Sequence, residues 1–397
     1  MKRSTLGAAL AVTAIVLGGL VPVAASAAPS PTGALHAVHA CGPAGPGTAA
    51  CHALHLVNDK GVDPATTTPS ASGITPAQLQ DAYKLTGLKS GGRTVAIVDA
   101  YGYANLESDL GVYRSQFGLP ACTTANGCLK IVDQNGGTSY PRANTGWAQE
   151  QALDVQAVSA ACPDCKILVV QAKSTSFADL GAAANTAAKT AGVVAISNSY
   201  GGSDAPDNTY GAPYNHPGIA VTASTGDNGF QGASFPASSA YVTAVGGTSL
   251  TKASGTTRGW SESVWSGAGS GCSTYNAALS AAASFGTGCA GRAMADVAAA
   301  ADPYNGGLSI YYPTSAKSST WGVWGGTSES APIIAAVYAL SGNTSGYANA
   351  LPYQHAGNLF DVTSGSNGSC SPTQMCTARV GWDGPTGLGT PNGVAGF

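Results

Sequence analysis

Charged side chains are scarce in this 397-residue chain: Asp, Glu, Lys and Arg make up 9% of it, against about a quarter in ordinary soluble proteins. The formal net charge is −3, so no basic field exists to recognise nucleic acid or an anionic membrane. Glutamate occurs only four times and histidine six times. With so few carboxylates to protonate, little stability should depend on them, a composition that suits acid surroundings. Long apolar runs are also missing. Beyond Leu6–Val23, no stretch is long and apolar enough to cross a bilayer.

What the chain does have is a 44% hydrophobic share, enough for a sizeable core. Its length suits two or three domains, or one large α/β domain with appendages. Lys2 and Arg3, the apolar run and Ala25-Ser26-Ala27 read as a secretory signal peptide over residues 1–27. Export into an oxidising compartment agrees with ten cysteines. They fall as near neighbours, Cys41/Cys51, Cys122/Cys128, Cys162/Cys165, Cys272/Cys289 and Cys370/Cys376. Spacing does not determine connectivity, and five local loops are the economical expectation.

Residues 28–72, rich in Pro, Ala, Gly and Thr, read as a poorly ordered leader that cannot pack a core and so should not inhibit anything. Within it, His36, His39, His52 and His55 flank Cys41 and Cys51 at metal-ligand spacing. Bonding of the two cysteines to each other would leave four solvated histidines. A core domain is expected over 73–397. Thr75-Pro76 with Gln78 marks its first helix, as a capping box with Pro at the first helical position. Apolar runs Thr94–Ala100, Lys166–Ala172, Val193–Ser197, Ile219–Ala223 and Tyr241–Val245 predict strands, and Asn105–Phe117, Trp147–Ala160 and Phe177–Ala191 predict helices. Such alternation implies an α/β fold, a mainly parallel β-sheet with helices on both faces. Reactive groups then belong beyond the carboxyl ends of the strands.

Three stretches carry the residues suited to chemistry. Ser328, after Gly325-Gly326-Thr327 and before an apolar run, stands where a helix N-terminus offers free N–H groups to a nucleophile. Glu150 and Asp154 are four apart and share one helix face, with no Lys or Arg in the same helix. Unpartnered like charges at that spacing repel unless they share a proton, which suits acid–base work. Asp227 lies in Ser224-Thr225-Gly226-Asp227-Asn228-Gly229, directly after a predicted strand. It forms a turn signal as well as a carboxyl able to donate when protonated.

The Gly326-Thr327-Ser328-x-Ser330-x-Pro332 motif resembles the nucleophile stretch of subtilisin-like peptidases, and Val95-Ala96-Ile97-Val98-Asp99 resembles the strand carrying their Asp. No histidine of 73–397 fills the third role: His216 precedes Pro217, and His355 lies near the C-terminus. With Glu150-x-x-x-Asp154 and Ser224-Thr225-Gly226-Asp227 in its place, the set is similar to the sedolisins, the serine-carboxyl peptidases. The resemblance covers about 73–397 and implies a subtilisin-like fold and a secreted endopeptidase acting on protein or peptide substrates in acid. It implies Ser328 as nucleophile, Glu150 as base, Asp154 as its proton-sharing partner and Asp227 as oxyanion donor. A monomer is expected, with no nucleic acid and no membrane as partner.

Near the C-terminus, Asp361-Val362 and Gly381-Trp382-Asp383-Gly384 resemble the family's calcium loop. The resemblance implies one structural Ca2+ held by Asp361 and Asp383 carboxylates and by the carbonyls of Val362, Arg379 and Gly381. Arg379 stands where relatives usually have Gly, a change a carbonyl ligand tolerates. Sedolisins also carry a propeptide far longer than residues 28–72. A non-catalytic exported binding protein on a peptidase fold is the alternative, and the complete set Glu150, Asp154, Asp227 and Ser328 speaks for the enzyme.

Overall fold

The computed structural model describes Met1 and residues 34–62, 66–343 and 345–397. The chain divides into Met1–Ala34 and Leu35–Phe397. The expected signal peptide at 1–27 falls, apart from Met1, outside the described residues. All elements named below belong to Leu35–Phe397.

A central sheet runs in the order Trp260–Val264, Thr243–Lys252, Ala220–Ser224, Val193–Asn198, Thr94–Ala100, Lys166–Ala172, Leu129–Asp133, with Val297–Ala300 also paired to Thr243–Lys252. Pairing is parallel throughout except at the edge strand Trp260–Val264. Because side chains alternate across a strand, Val95 and Ile97 enter one core while Ala96 and Val98 enter the other. The first core is closed by the helices Thr145–Ala161 and Thr327–Ser341, the second by Phe177–Lys189. Helices cover both faces, as the alternation of elements predicts. Strands Thr94–Ala100 and Lys166–Ala172 form over the predicted bounds, and Thr75 and Gln78 close the capping box. The five expected disulfides are all present.

Both helices of the first core are buried on nearly every side. A helix without a solvated face must be enclosed. The antiparallel hairpin Leu308–Ser315/Ser318–Gly325 helps to enclose them, and its second strand runs straight into the helix that bears Ser328.

The leader departs from expectation. Strands His36–His39 and Leu54–Val57 pair with each other and extend that hairpin into a four-stranded sheet, and Ala50–Cys51 pairs with Tyr200–Ser203. The expectation of a poorly ordered segment is therefore corrected over 36–57. Its composition cannot build a core, but Leu54, Leu56 and Val57 are buried against the rest of the domain. An edge strand offers unpaired N–H and C=O groups to any extended segment nearby.

Candidate active site

Ser328 is the second residue of the Thr327–Ser341 helix, fully buried, and its Oγ donates to the Ser199 carbonyl at 3.2 Å. Pro332, four residues on, has no N–H for the Ser328 carbonyl, so the ordinary helical bond there is missing. Ser199 Oγ donates to that carbonyl instead, at 3.4 Å. Ser330 ties the same turn to the sheet through the carbonyls of Ala299 and Ala300. The Ser328 backbone is thus held by side chains as well as by helix bonds.

Glu150 and Asp154 lie on the Thr145–Ala161 helix and are fully buried, and Asp99 at the end of Thr94–Ala100 joins them. None of the oxygens of these three carboxyls has a hydrogen-bond partner of normal geometry. Burial, the neighbouring Asp99 and Asp227 push the Glu150 carboxyl well above its ordinary range, against a lowering influence of the nearby Ser328 hydroxyl and of Asp154. Ser328 therefore stands next to Glu150, although no bond of normal geometry is closed. Asp154 is raised by burial, then by Asp99 and Glu150. Asp99 is raised by burial. Among three acids buried together, ionising one makes the next harder to ionise.

Asp227 approaches from the turn after Ala220–Ser224. One of its oxygens accepts the Thr327 N–H at 2.7 Å and the Thr327 hydroxyl at 2.8 Å. It thereby caps the Ser328 helix from outside, while its other oxygen is buried and unpartnered. Burial pushes this carboxyl up to about 7, despite the two lowering bonds from Thr327. Gly326 makes room for it: φ there is 90°, and a Cβ would stand 2.8 Å from Asp227 Oδ2.

The structure thus brings Ser328, Glu150, Asp154 and Asp227 to one place. Three further residues belong with them. The sequence marked Asp99 only through the resemblance of Val95–Asp99 to the strand that carries the Asp of subtilisin-like peptidases, and Ser199 was not singled out. His52 was marked only as one of four histidines at metal-ligand spacing. Its Nδ1 lies 2.7 Å from Ser224 Oγ, and burial, with His39 as a like-charged neighbour, pushes it down to about 3. The expectation of four solvated histidines is corrected here too, since His55 stacks on Trp324. Among the described residues no group of three or more His, Cys, Asp or Glu side chains could hold a metal.

The implied calcium ligands lie apart from this site. Asp361 accepts the Gly381 N–H at 2.9 Å, and Asp383 accepts the Arg379 N–H at 3.4 Å, so both carboxylates meet the 379–383 turn. Arg379 turns its guanidinium towards the carbonyls of Trp382, Phe285 and Gly286. Its charge is therefore not spent on the two acids, and the all-oxygen donor set fits a hard cation.

A parallel α/β sheet with a serine at a helix mouth beside buried carboxyls is a subtilisin-like arrangement. Comparison places it further. The chain is 31% identical over 366 residues to kumamolisin of Bacillus sp. (strain MN-32), an alignment covering 81% of this chain and 63% of kumamolisin. A tripeptidyl-peptidase sed1 of Aspergillus fumigatus is 40% identical over 113 residues, 26% of this chain and 16% of that protein. Among solved structures, Pseudomonas sedolisin, a serine-carboxyl proteinase complexed with pseudo-iodotyrostatin, superposes with a TM-score of 0.66 at 24% identity, covering 82% of this chain and 96% of that one. No family model matches. The chain belongs to the sedolisin, or serine-carboxyl peptidase, family and has its subtilisin-like fold. It spans less than two thirds of the length of kumamolisin.

Proposed function

We propose that this chain is an exported serine-type endopeptidase that hydrolyses protein or peptide substrates in acid. The observation that carries this is the serine at a helix N-terminus beside a buried cluster of carboxyls, with a separate protonatable carboxyl at the same helix mouth. Ser328 Oγ attacks the substrate carbonyl while its proton passes to Glu150. Asp154 keeps Glu150 in place and takes part of the proton's charge, with Asp99 behind both. The oxyanion that forms is met by the Ser328 N–H and by protonated Asp227. Glu150 then returns the proton to the leaving amine, and water repeats the sequence on the acyl-serine.

In a coupled set of acids one carboxyl can ionise while its neighbours keep their protons, whereas the Asp227 donor is lost as pH rises through about 7. Activity needs one carboxyl charged and another neutral, so the pH–rate profile is bell-shaped and lies on the acid side. Residues 1–27 direct export, and the 73–397 domain works outside the cell as a monomer. Ca2+ on Asp361, Asp383 and the carbonyls of Val362, Arg379 and Gly381 would supply positive charge to two mutually repelling acids. The test is digestion of a denatured protein across pH, with Ser328→Ala as control. Asp227→Asn, which keeps a donor at every pH, should extend the alkaline limb. Equal digestion by wild type and Ser328→Ala would leave only a binding protein on a peptidase fold.

A further inference from the structure

Glu329 follows Ser328 and takes no part in the reaction proposed above. Successive side chains of a helix point about 100° apart, so the two leave it in different directions. Ser328 Oγ reaches the Ser199 carbonyl, whereas Glu329 Oε2 accepts the Leu308 N–H at 3.3 Å. Leu308 is the register partner of Trp324 across the hairpin, and Trp324 leads through Gly325-Gly326-Thr327 to Ser328. The bond from Leu308 therefore closes a ring of chain, out of the strand, round the turn, into the helix and back to the hairpin. The turn it closes is the one that presents Ser328.

The Glu329 carboxyl is fully buried, and its other oxygen, Oε1, has no hydrogen-bond partner. Burial pushes this carboxyl well above its ordinary range. The Leu308 N–H works against that, and Asp302, just beyond Val297–Ala300, adds to it as a like charge. Asp302 is itself held by the Ser249 hydroxyl, the Tyr304 N–H and the Asn305 amide. Other elements packed on the Ser328 helix bring Glu150 and Asp154, Asp99, and the exposed Lys252 at the end of Thr243–Lys252. The hairpin and the strand beside it carry Tyr311, Tyr312 and His55. The helix Leu106–Gln116 packs on that hairpin and brings Tyr113, whose buried hydroxyl is unpartnered. Arg114 beside it is committed to Pro120, Ser159 and Pro163. None of these groups supplies a counter-charge to Glu329.

We propose that Glu329 is a proton-operated latch on the nucleophile: its neutral carboxyl keeps the strand-to-helix turn closed on the hairpin, and its ionisation opens that turn and takes Ser328 out of line. A neutral carboxyl tolerates one unpartnered oxygen, whereas a buried carboxylate without a counter-charge is far more costly. The charge can be relieved only by letting water reach it, which means parting the helix start from Leu308. The closed form binds the proton more tightly than an open, wetted form whose carboxyl is ordinary. Closure is therefore complete in acid and lost as pH rises. Once pH exceeds the ordinary carboxyl value, the closed-to-open ratio falls about tenfold per pH unit until the closed form ionises too. Loss of activity on opening rests on the reading of Ser328 as nucleophile, and the opening itself does not. Asp227 makes the site depend on acid from the turn after Ala220–Ser224, and Glu329 makes the support of Ser328 depend on it from the hairpin side.

The test uses the whole disulfide-bonded chain as Ser328→Ala, which prevents digestion of one molecule by another. Amide hydrogen exchange of residues 322–330 is followed from pH 4 to pH 8 and corrected for intrinsic exchange. Protection should fall steeply with pH, and adding Glu329→Gln, which keeps an acceptor for Leu308 without a charge, should leave it about tenfold or more higher at pH 8. An equal fall in both proteins overturns the proposal. Should Glu329→Gln not fold, Asp302→Asn decides: loss of protection at a higher pH supports the latch, and loss at an unchanged pH overturns it. The second arm uses chains with Ser328 restored and Asp227→Asn in place, whose oxyanion donor does not titrate, and a denatured, dye-labelled protein as substrate. Adding Glu329→Gln there should raise the ratio of turnover at pH 7 to that at pH 4 by about tenfold. An unchanged ratio overturns the latch's hold on the nucleophile while leaving the peptidase reading in place. Absence of digestion by the wild-type chain at every pH overturns the peptidase reading, and hydrogen exchange then still decides whether Glu329 holds the turn.

Discussion

Two buried acids in the same domain meet opposite fates. Asp296 is fully buried and fully answered: Arg292 grips both its oxygens, the Tyr353 hydroxyl donates at 2.7 Å, and the Ala244 N–H donates at 2.7 Å. Glu150 is as deeply buried, but its oxygens have no partner of normal geometry and its neighbours include Asp99, Asp154 and Asp227. A carboxylate kept for structure is neutralised and saturated with donors, because an unpaired buried charge is expensive. On the proposed function, the unsaturated Glu150 carboxyl is the one that must change state. The burial is alike, and the company differs.

The largest effect should come from breaking the satisfied acid. Asp296→Ala strands the Arg292 guanidinium in the core, and removing one partner of such a pair costs about 3–5 kcal/mol. Urea unfolding should show the loss, and a change below about 1 kcal/mol would mean that the pair is not what holds that region.

The unsatisfied acids make the opposite forecast for pH. Glu150, Asp154, Asp99, Glu329 and Asp227 all have folded pKa values above their unfolded ones, chiefly through burial. The folded state therefore binds more protons, and stability falls as pH rises. The contribution of Asp227 is complete below about pH 4 and is lost as pH rises through about 7. By about 1.36 kcal/mol per unit it is on the order of 4 kcal/mol. Urea midpoints should be higher at pH 4 than at pH 7, and Asp227→Asn should flatten the trend. Midpoints that rise towards neutrality would remove the protonated cluster from this account.

A smaller effect in energy, but the sharper one for chemistry, belongs to Glu150→Gln. It should lower turnover by about a hundredfold or more, near 2.7 kcal/mol of barrier, with the urea midpoint at pH 4 kept. Near-normal turnover would mean that another group is the base. The smallest effect concerns the exposed Asp361 and its buried partner Asp383. Calcium should raise the melting temperature relative to chelator by mass action, less so in Asp361→Ala. Identical curves with calcium and chelator would dismiss the ion.

Legibility in the sequence followed locality. Strand Thr94–Ala100 is a continuous apolar run, and the Thr75–Gln78 cap is complete within four residues. The spacing of Glu150 and Asp154 on one helix turn, with no cation nearby, already marked an unpartnered pair. Asp99 was harder. It lies on a neighbouring strand, and only the pairing of Thr94–Ala100 within the sheet brings it under that helix. His52 was out of reach, because its role arises from edges supplied by Tyr200–Ser203 and Ser318–Gly325, each more than a hundred residues away.

By itself, the sequence determined the class of fold and the helix start at Ser328, and it made five local disulfides the economical expectation. These depend on signals within one element, whereas the grouping of Ser328 with acids rather than histidine came from the resemblance to the sedolisins. Only the tertiary structure decided that residues 36–57 are ordered and that the His52 N–H meets the Ser199 carbonyl beside Ser328. The physical reason is the hydrogen bond between strands. A short polar segment carries no apolar signature of its own, and it takes its conformation from whichever unpaired edge it meets.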